Sequence, residues 1–244
     1  MDEINKDSHY YAAQNRMELL PNYYRWIHEL IAGYLKERIV DLGCGKGFML
    51  KIINEHQEPD LLLGIDGSAG NIDSNLLADF RTEKIVLLHR NFDGYSFDDL
   101  VDFKIDTAIL LDVLEHIEHD EALLETIYKV LPERGRLIVK VPAVKSLYGS
   151  IDVASEHFRR YSRKELKSKA EDAGFKILKL RYMNLFGAFS YFVRNKILKK
   201  TTSFSGTFTP KKLKKLNRLI PCLQFIDKIL LCPVGLSLIG VFEK

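Results

Sequence analysis

The chain has 244 residues, 46% hydrophobic and 28% charged, with a formal net charge of +3. This composition suits a folded domain with room for a sizeable core and excludes a disordered or fibrous chain. Three cysteines (Cys44, Cys222 and Cys232) lack metal-ligand spacing and leave one thiol over in any disulfide scheme, which predicts a reducing, cytoplasmic setting and no metal-ligating set.

The amino end, "MDEINKDSHY", is polar and acidic and has no secretory or transit pattern. Short aliphatic runs at 38–42, 61–65, 85–89, 107–111 and 136–141 then suit buried strands. Helical patterns lie between them. Phe48, Met49, Ile52 and Ile53 share one face of a helix, and so do Leu123, Leu124, Ile127, Val130 and Leu131, the latter entered through Asp120 and closed by Gly135. "SRKELKSKAEDAG" has Ser162 and Glu165 at capping-box spacing. A sixth strand is expected at 175–184 and a seventh at 236–242. The long interval between them holds a candidate loop at 201–210, "TTSFSGTFTP". Strand alternating with helix predicts a doubly wound, mostly parallel α/β sheet that binds at the carboxyl ends of its strands. The longest uncharged run, residues 229–242, is too short to span a bilayer.

"IVDLGCGKGFML" sets Gly43, Gly45 and Gly47 directly after the first strand. In a dinucleotide fingerprint the third glycine comes one residue later, and a pyrophosphate rests on the helix amino terminus. Here Asp41 precedes the turn, where its charge would repel pyrophosphate and favour a sulfonium or ammonium. A ligand joining a nucleoside to a cationic amino-acid tail fits better than NAD. Asp66, at the end of "LLLGID", can accept from ribose hydroxyls, which agrees with a nucleoside without choosing between NAD and S-adenosylmethionine.

"IVDLGCGKG", "LLLGIDGS", "TAILLDVLEHI", "LPERGRLIVKVP" and "FRRYSRKELKSKAEDAGF" occur in an order and spacing that resemble the S-adenosylmethionine-dependent methyltransferases of the seven-stranded, Rossmann-like class, and more narrowly their type 11/type 23 small-molecule branch. The resemblance covers roughly residues 36–182. It implies a last strand running antiparallel between the fifth and sixth, with S-adenosylmethionine as cofactor. It implies that Gly43, Gly45 and the backbone around Asp41 hold the methionyl part, with Asp66 and the adjoining Gly67 at the ribose. Asn91 and Phe92 stand where family members place an acid near adenine, with Asp93 a competing assignment. Leu111 and Asp112 match the positions that close over the cofactor near its methyl end. "HYYAAQNR" resembles the family's leading helix, with Arg16 for the methionine carboxylate and Tyr11 for the sulfonium face. The division that follows is a helical amino-terminal segment at 1–35, a cofactor-binding core at 36–183, a helical basic cap inserted at 184–235, and a terminal strand at 236–244.

Methyl transfer from a sulfonium needs alignment above all, and a hydroxyl or amine acceptor must also lose a proton. His116, in the loop after the fourth strand, and His157, in the loop after the fifth, are candidates for that role, with Tyr161 beside them. The alternatives are a buttress for His116 and loop packing for His157, Arg159, Arg160 and Tyr161. Arginines beside a site suit an anionic acceptor, or equally a salt bridge to the acidic half. From residue 181 onward, 12 basic residues face 2 acids, whereas residues 1–180 hold 24 basic and 31 acidic residues. The basic end reads as a solvated cap over the acceptor pocket, as a patch on an anionic membrane surface, or as a nucleic-acid surface. The last is not expected, because no RNA module or basic core accompanies it. The expected function is methyl transfer to oxygen or nitrogen of a small-molecule or lipid- or glycan-linked acceptor. The alternative is a non-catalytic binding or regulatory subunit. Oligomeric state is left open.

Overall fold

The aliphatic runs become strands β1 (Arg38–Leu42), β2 (Leu61–Asp66), β3 (Ile85–His89), β4 (Thr107–Leu111), β5 (Arg136–Pro142), β6 (Lys176–Met183) and β7 (Ser237–Glu243). The computed structural model describes residues 18–73, 84–90, 97, 99–194, 209–230 and 232–244. The seven strands form one sheet in the order β3-β2-β1-β4-β5-β7-β6. The first five pair in parallel, and β7 runs antiparallel to both β5 and β6. The expected Rossmann-like α/β sheet with an antiparallel last strand is the one observed.

Nine helices among the described residues matter here: α1 (Pro21–Ile31), α2 (Phe48–His56), α3 (Ala69–Asp73), α4 (Asp99–Asp102), α5 (Asp120–Val130), α6 (Ser150–Ala154), α7 (Arg163–Asp172), α8 (Leu185–Phe192) and α9 (Pro210–Ile229). Successive strand residues point to opposite faces, and both faces are covered. Val40, Leu42, Leu63, Leu110 and Val139 meet Leu124 and Ile127 of α5 and Leu166 and Ala170 of α7. Ile39, Leu62, Ile109, Ile138 and Ile239 meet Trp26 and Ile27 of α1, Leu50 and Ile53 of α2, and Leu213 and Ile220 of α9.

Two local expectations change. The capping box of α7 forms as read, with Ser162 Oγ accepting from Glu165 N at 3.2 Å. Asp120, by contrast, does not cap α5; it turns inward onto Tyr161 and Lys169. The other change concerns α9, read as part of a cap. Its Leu213 and Ile220 lie in the same core as α1, and Asn22 N and Nδ2 donate to Oδ1 and O of Asn217, each at 2.9 Å. So α9 belongs to the helical layer of the sheet. It stays helical through Pro221, whose cost of about 3 kcal/mol is offset by two buried aliphatic side chains at about 1.5–3 kcal/mol each. Asp227 of α9 also accepts from the backbone N–H of Asn184 and Leu185, which ties α9 to the start of α8. Residues 201–208 of the candidate loop lie outside the described residues.

Candidate functional site

The glycine turn closes the carboxyl end of β1 against β2. Gly43 N and Cys44 N donate to Ile65 O at 2.7 and 3.0 Å. Gly43 has φ of +81°, and a Cβ there would lie 2.4 Å from Val113 Cγ2. Only glycine therefore lets the turn pass under the loop after β4. Cys44 is buried and its thiol is pushed well up by burial, so it is packing and not a nucleophile.

Asp66 holds the turn in shape. Its Oδ2 accepts from Gly45 N at 2.8 Å, and its Oδ1 accepts from Ser68 N at 2.9 Å and Asn71 Nδ2 at 3.0 Å. Three of roughly four lone-pair sites on the carboxylate are thus taken by the protein. Gly67 is exposed, and its carbonyl faces His89 Nε2 at 3.1 Å. Asp41 is buried, and its Oδ1 has no hydrogen-bond partner among the described residues. Burial first, and then the Asp66 charge, push the Asp41 carboxyl up to about 7. Near neutral pH this group is poised to ionise when a cation comes beside it.

At the end of β4, Leu111 is half-buried and Asp112 is exposed, with a left-handed φ of +55°. Lys140 Nζ, buried on β5, donates to Asp112 Oδ2. Burial alone would lower the Lys140 ammonium's pKa, but Asp112 outweighs it and holds the value above the ordinary one. Tyr23 lies beneath the ammonium at 5.5 Å, and Tyr24 stacks on Phe48 at 5.5 Å. Sequence reading missed Lys140, Tyr23 and Tyr24. The available signal was a lysine inside the apolar run "LIVKVP".

The loops after β4 and β5 bring His116 and His157 together, with ring centroids 4.7 Å apart and edge to face. Burial, and then His157, lower the His116 pKa to about 4, which leaves the ring neutral. Phe158 N donates to Glu115 O at 2.8 Å, fixing one loop on the other. Behind His157 sits Asp152, also missed from sequence and fully buried. Asp152 Oδ1 accepts from Arg160 Nε at 2.8 Å and faces His157 Nδ1 at 3.1 Å. Its Oδ2 accepts from Tyr191 Oη of α8 at 2.8 Å and Gly149 N at 2.9 Å.

Tyr161, read as a candidate beside the histidines, is corrected to a core residue. It is fully buried, and its hydroxyl donates to Asp120 Oδ2 at 2.7 Å, with Leu114 O also 3.1 Å away. Desolvation and the Asp120 charge raise its pKa far above the usual range, so it cannot serve as a base. Both arginines are engaged by acids: Arg159 pairs with Asp120 at 2.8 Å and Arg160 with Asp152. The salt-bridge alternative describes them. Four expected contacts, Tyr11, Arg16, Asn91 and Phe92, lie outside the described residues, as does Asp93.

The sequence model of one family, described as a methyltransferase domain, matches residues 9–180. No curated protein matches the chain in sequence. Among solved structures, a chain of the complex between the Haloferax volcanii Trm112 methyltransferase activator and a methyltransferase is similar at 18% identity and a TM-score of 0.63, covering 96% of this chain and 93% of that one. An S-adenosylmethionine-dependent methyltransferase from Mesorhizobium loti is similar at 16% identity and a TM-score of 0.59, over 88% of this chain and 96% of that one. Phosphoethanolamine N-methyltransferase 2 of Haemonchus contortus, solved with S-adenosyl-L-methionine, is similar at 14% identity and a TM-score of 0.58, over 90% of this chain and 52% of that one. At these identities the likeness is one of fold.

Proposed function

Because the chain belongs to the methyltransferase-domain family, we propose that it transfers a methyl group from S-adenosylmethionine to oxygen or nitrogen of a small-molecule or lipid- or glycan-linked acceptor. One observation carries the cofactor's identity: a buried carboxyl with an unpartnered oxygen, Asp41, at the end of the strand that enters the glycine turn. A bound pyrophosphate would repel that group, whereas a cationic amino-acid tail satisfies it. When bound, S-adenosylmethionine supplies an already activated methyl group.

The protein's own contribution is therefore alignment and exclusion of water. Asp66 holds the turn that meets the nucleoside, and Leu111 and Asp112 border the reacting end. Loss of the acceptor's proton is assigned to the corner formed by His116 and His157.

Calorimetric titration with S-adenosylmethionine and, in parallel, with NAD tests this. Micromolar binding of the former alone is expected. Affinity should rise from about pH 6 to about pH 8, because cation binding favours the ionised form of Asp41 and releases its proton below the raised pKa. No binding of S-adenosylmethionine overturns the reading. Binding without transfer to any acceptor moves the protein to the non-catalytic alternative.

Exposed side chains support a membrane-surface acceptor. Phe186, Phe189 and Phe192 of α8 and Phe225, Ile226 and Ile229 of α9 are all exposed, and Lys211, Lys212, Lys214 and Lys215 are exposed on the same α9. Exposed apolar residues and lysines on one helix suit peripheral contact with anionic lipid. No helix among the described residues is long and apolar enough to cross a membrane. The protein is expected to float with anionic liposomes and not with neutral ones, and to lose that behaviour when the four lysines are changed to glutamate. Equal flotation with both lipids removes this part.

A further inference from the structure

Glu115, His116 and His157 offer one carboxylate oxygen and two imidazole nitrogens that all lie within 4.8 Å of one another. Glu115 is fully buried, and neither of its oxygens has a hydrogen-bond partner among the described residues. The neighbouring cations hold other acids, Lys140 with Asp112 and Arg160 with Asp152. A buried polar group without a partner is costly, so two such oxygens call for a cation.

His157 is held as metal ligands are held. Asp152 Oδ1 fixes His157 Nδ1 at 3.1 Å, which leaves Nε2 toward Glu115 Oε1 at 3.9 Å. The His116 ring meets His157 edge to face, with centroids 4.7 Å apart. A carboxylate behind the His157 imidazole sets its tautomer and orientation, the usual arrangement around a bound metal.

We propose that Glu115, His116 and His157 form a binding site for one divalent transition-metal cation, with coordination positions left open for water or an acceptor oxygen. Two nitrogens and one carboxylate suit zinc, cobalt, manganese or iron better than magnesium or calcium. Bonds of about 2.0–2.2 Å need the donors closer together than they stand, so binding of the cation draws the three side chains inward. A metal site here departs from the sequence expectation of no metal-ligating set. On the methyltransferase reading, the cation would hold an acceptor hydroxyl oxygen and lower its pKa, so that the O–H bond breaks and the proton leaves to solvent. That use rests on the reading above; the binding of the cation does not.

The test is to treat the full chain with chelator and titrate it with Co2+, following the visible ligand-field bands, then to compete with Zn2+. Saturation at one equivalent is expected. Glu115→Gln and His157→Ala should each weaken binding at least about tenfold with circular dichroism unchanged. No saturable binding, or undiminished affinity in both variants, overturns the proposal. Where a variant fails to fold, pulsed electron paramagnetic resonance of Cu2+ bound to the wild type decides: two imidazole nitrogens support the site and fewer overturn it. Calorimetry on the same preparation keeps the two readings apart. S-adenosylmethionine binding without Co2+ binding defeats only the metal site, and the reverse defeats only the cofactor.

Discussion

Asp152→Ala is expected to cost about 3–5 kcal/mol of stability, the usual result of stripping a buried ion pair of one partner. The substitution leaves the Arg160 guanidinium, only 4% exposed, without its carboxylate. It also removes the carboxylate that accepts from Gly149 N and Tyr191 Oη and that faces the His157 ring. Arg160 would retain Ala143 O at 3.0 Å and the Tyr191 ring at 4.4 Å, too little to compensate a buried charge. Urea denaturation would read the loss as a lower midpoint at unchanged slope. A loss below about 1 kcal/mol would mean that water reaches the pair.

The pH dependence gives a second readout of the same network. Burial alone would raise the Asp152 carboxyl, but the His157 hydrogen bond, the Arg160 charge and the Tyr191 hydrogen bond outweigh it and hold the pKa below its ordinary value. Asp120 is depressed in the same way, with Lys169, Tyr161 and Arg159 outweighing its burial. A carboxyl depressed in the folded state contributes stability that is present above the unfolded pKa of about 4 and lost as pH falls below it. The wild type should therefore weaken steeply under acid. Asp152→Ala should weaken less steeply, retaining only the contribution of Asp120.

Much of the sheet was legible because each strand is a short aliphatic run whose alternate residues feed two buried layers; 38–42, 85–89 and 107–111 hold to the residue. The placement of Asp41, Gly43, Gly45 and Asp66 at the ends of β1 and β2 was legible for a related reason. Strand ends are local features, and neighbouring parallel strands bring their carboxyl ends together. What sequence could not supply was the long-range partner. Asp120 reads as a helix cap until Tyr161, 41 residues away, meets it. Tyr161 reads as a site residue for the same reason. Lys140 becomes intelligible only beside Asp112. Leu213 and Ile220 mark a buried stripe on α9, but a single helix pattern does not say what covers it; Trp26, Ile27 and Met183 do.

Asp66→Asn is expected to weaken S-adenosylmethionine binding at least about a hundredfold, near 2.7 kcal/mol, while the sheet stays folded. The carboxylate receives three donors, Gly45 N and Ser68 N from the backbone and Asn71 Nδ2 from α3. An amide has one oxygen, so either orientation turns an NH2 group against a backbone N–H. An unsatisfied buried donor costs about 1–3 kcal/mol, and the cheapest relief is to move the glycine turn, which destroys the shape offered to the nucleoside. The substitution also removes the charge that helps to raise Asp41. The residual affinity should therefore depend less on pH between about pH 6 and pH 8 than that of the wild type. Those two effects separate the roles of the residue. A contact with ribose alone would lower affinity and leave the Gly45 and Ser68 amides as well protected from hydrogen exchange as before. A residue that organises the turn should lower affinity and speed exchange at both amides together. Unchanged affinity would remove Asp66 from the cofactor site, however well placed it is at the end of β2.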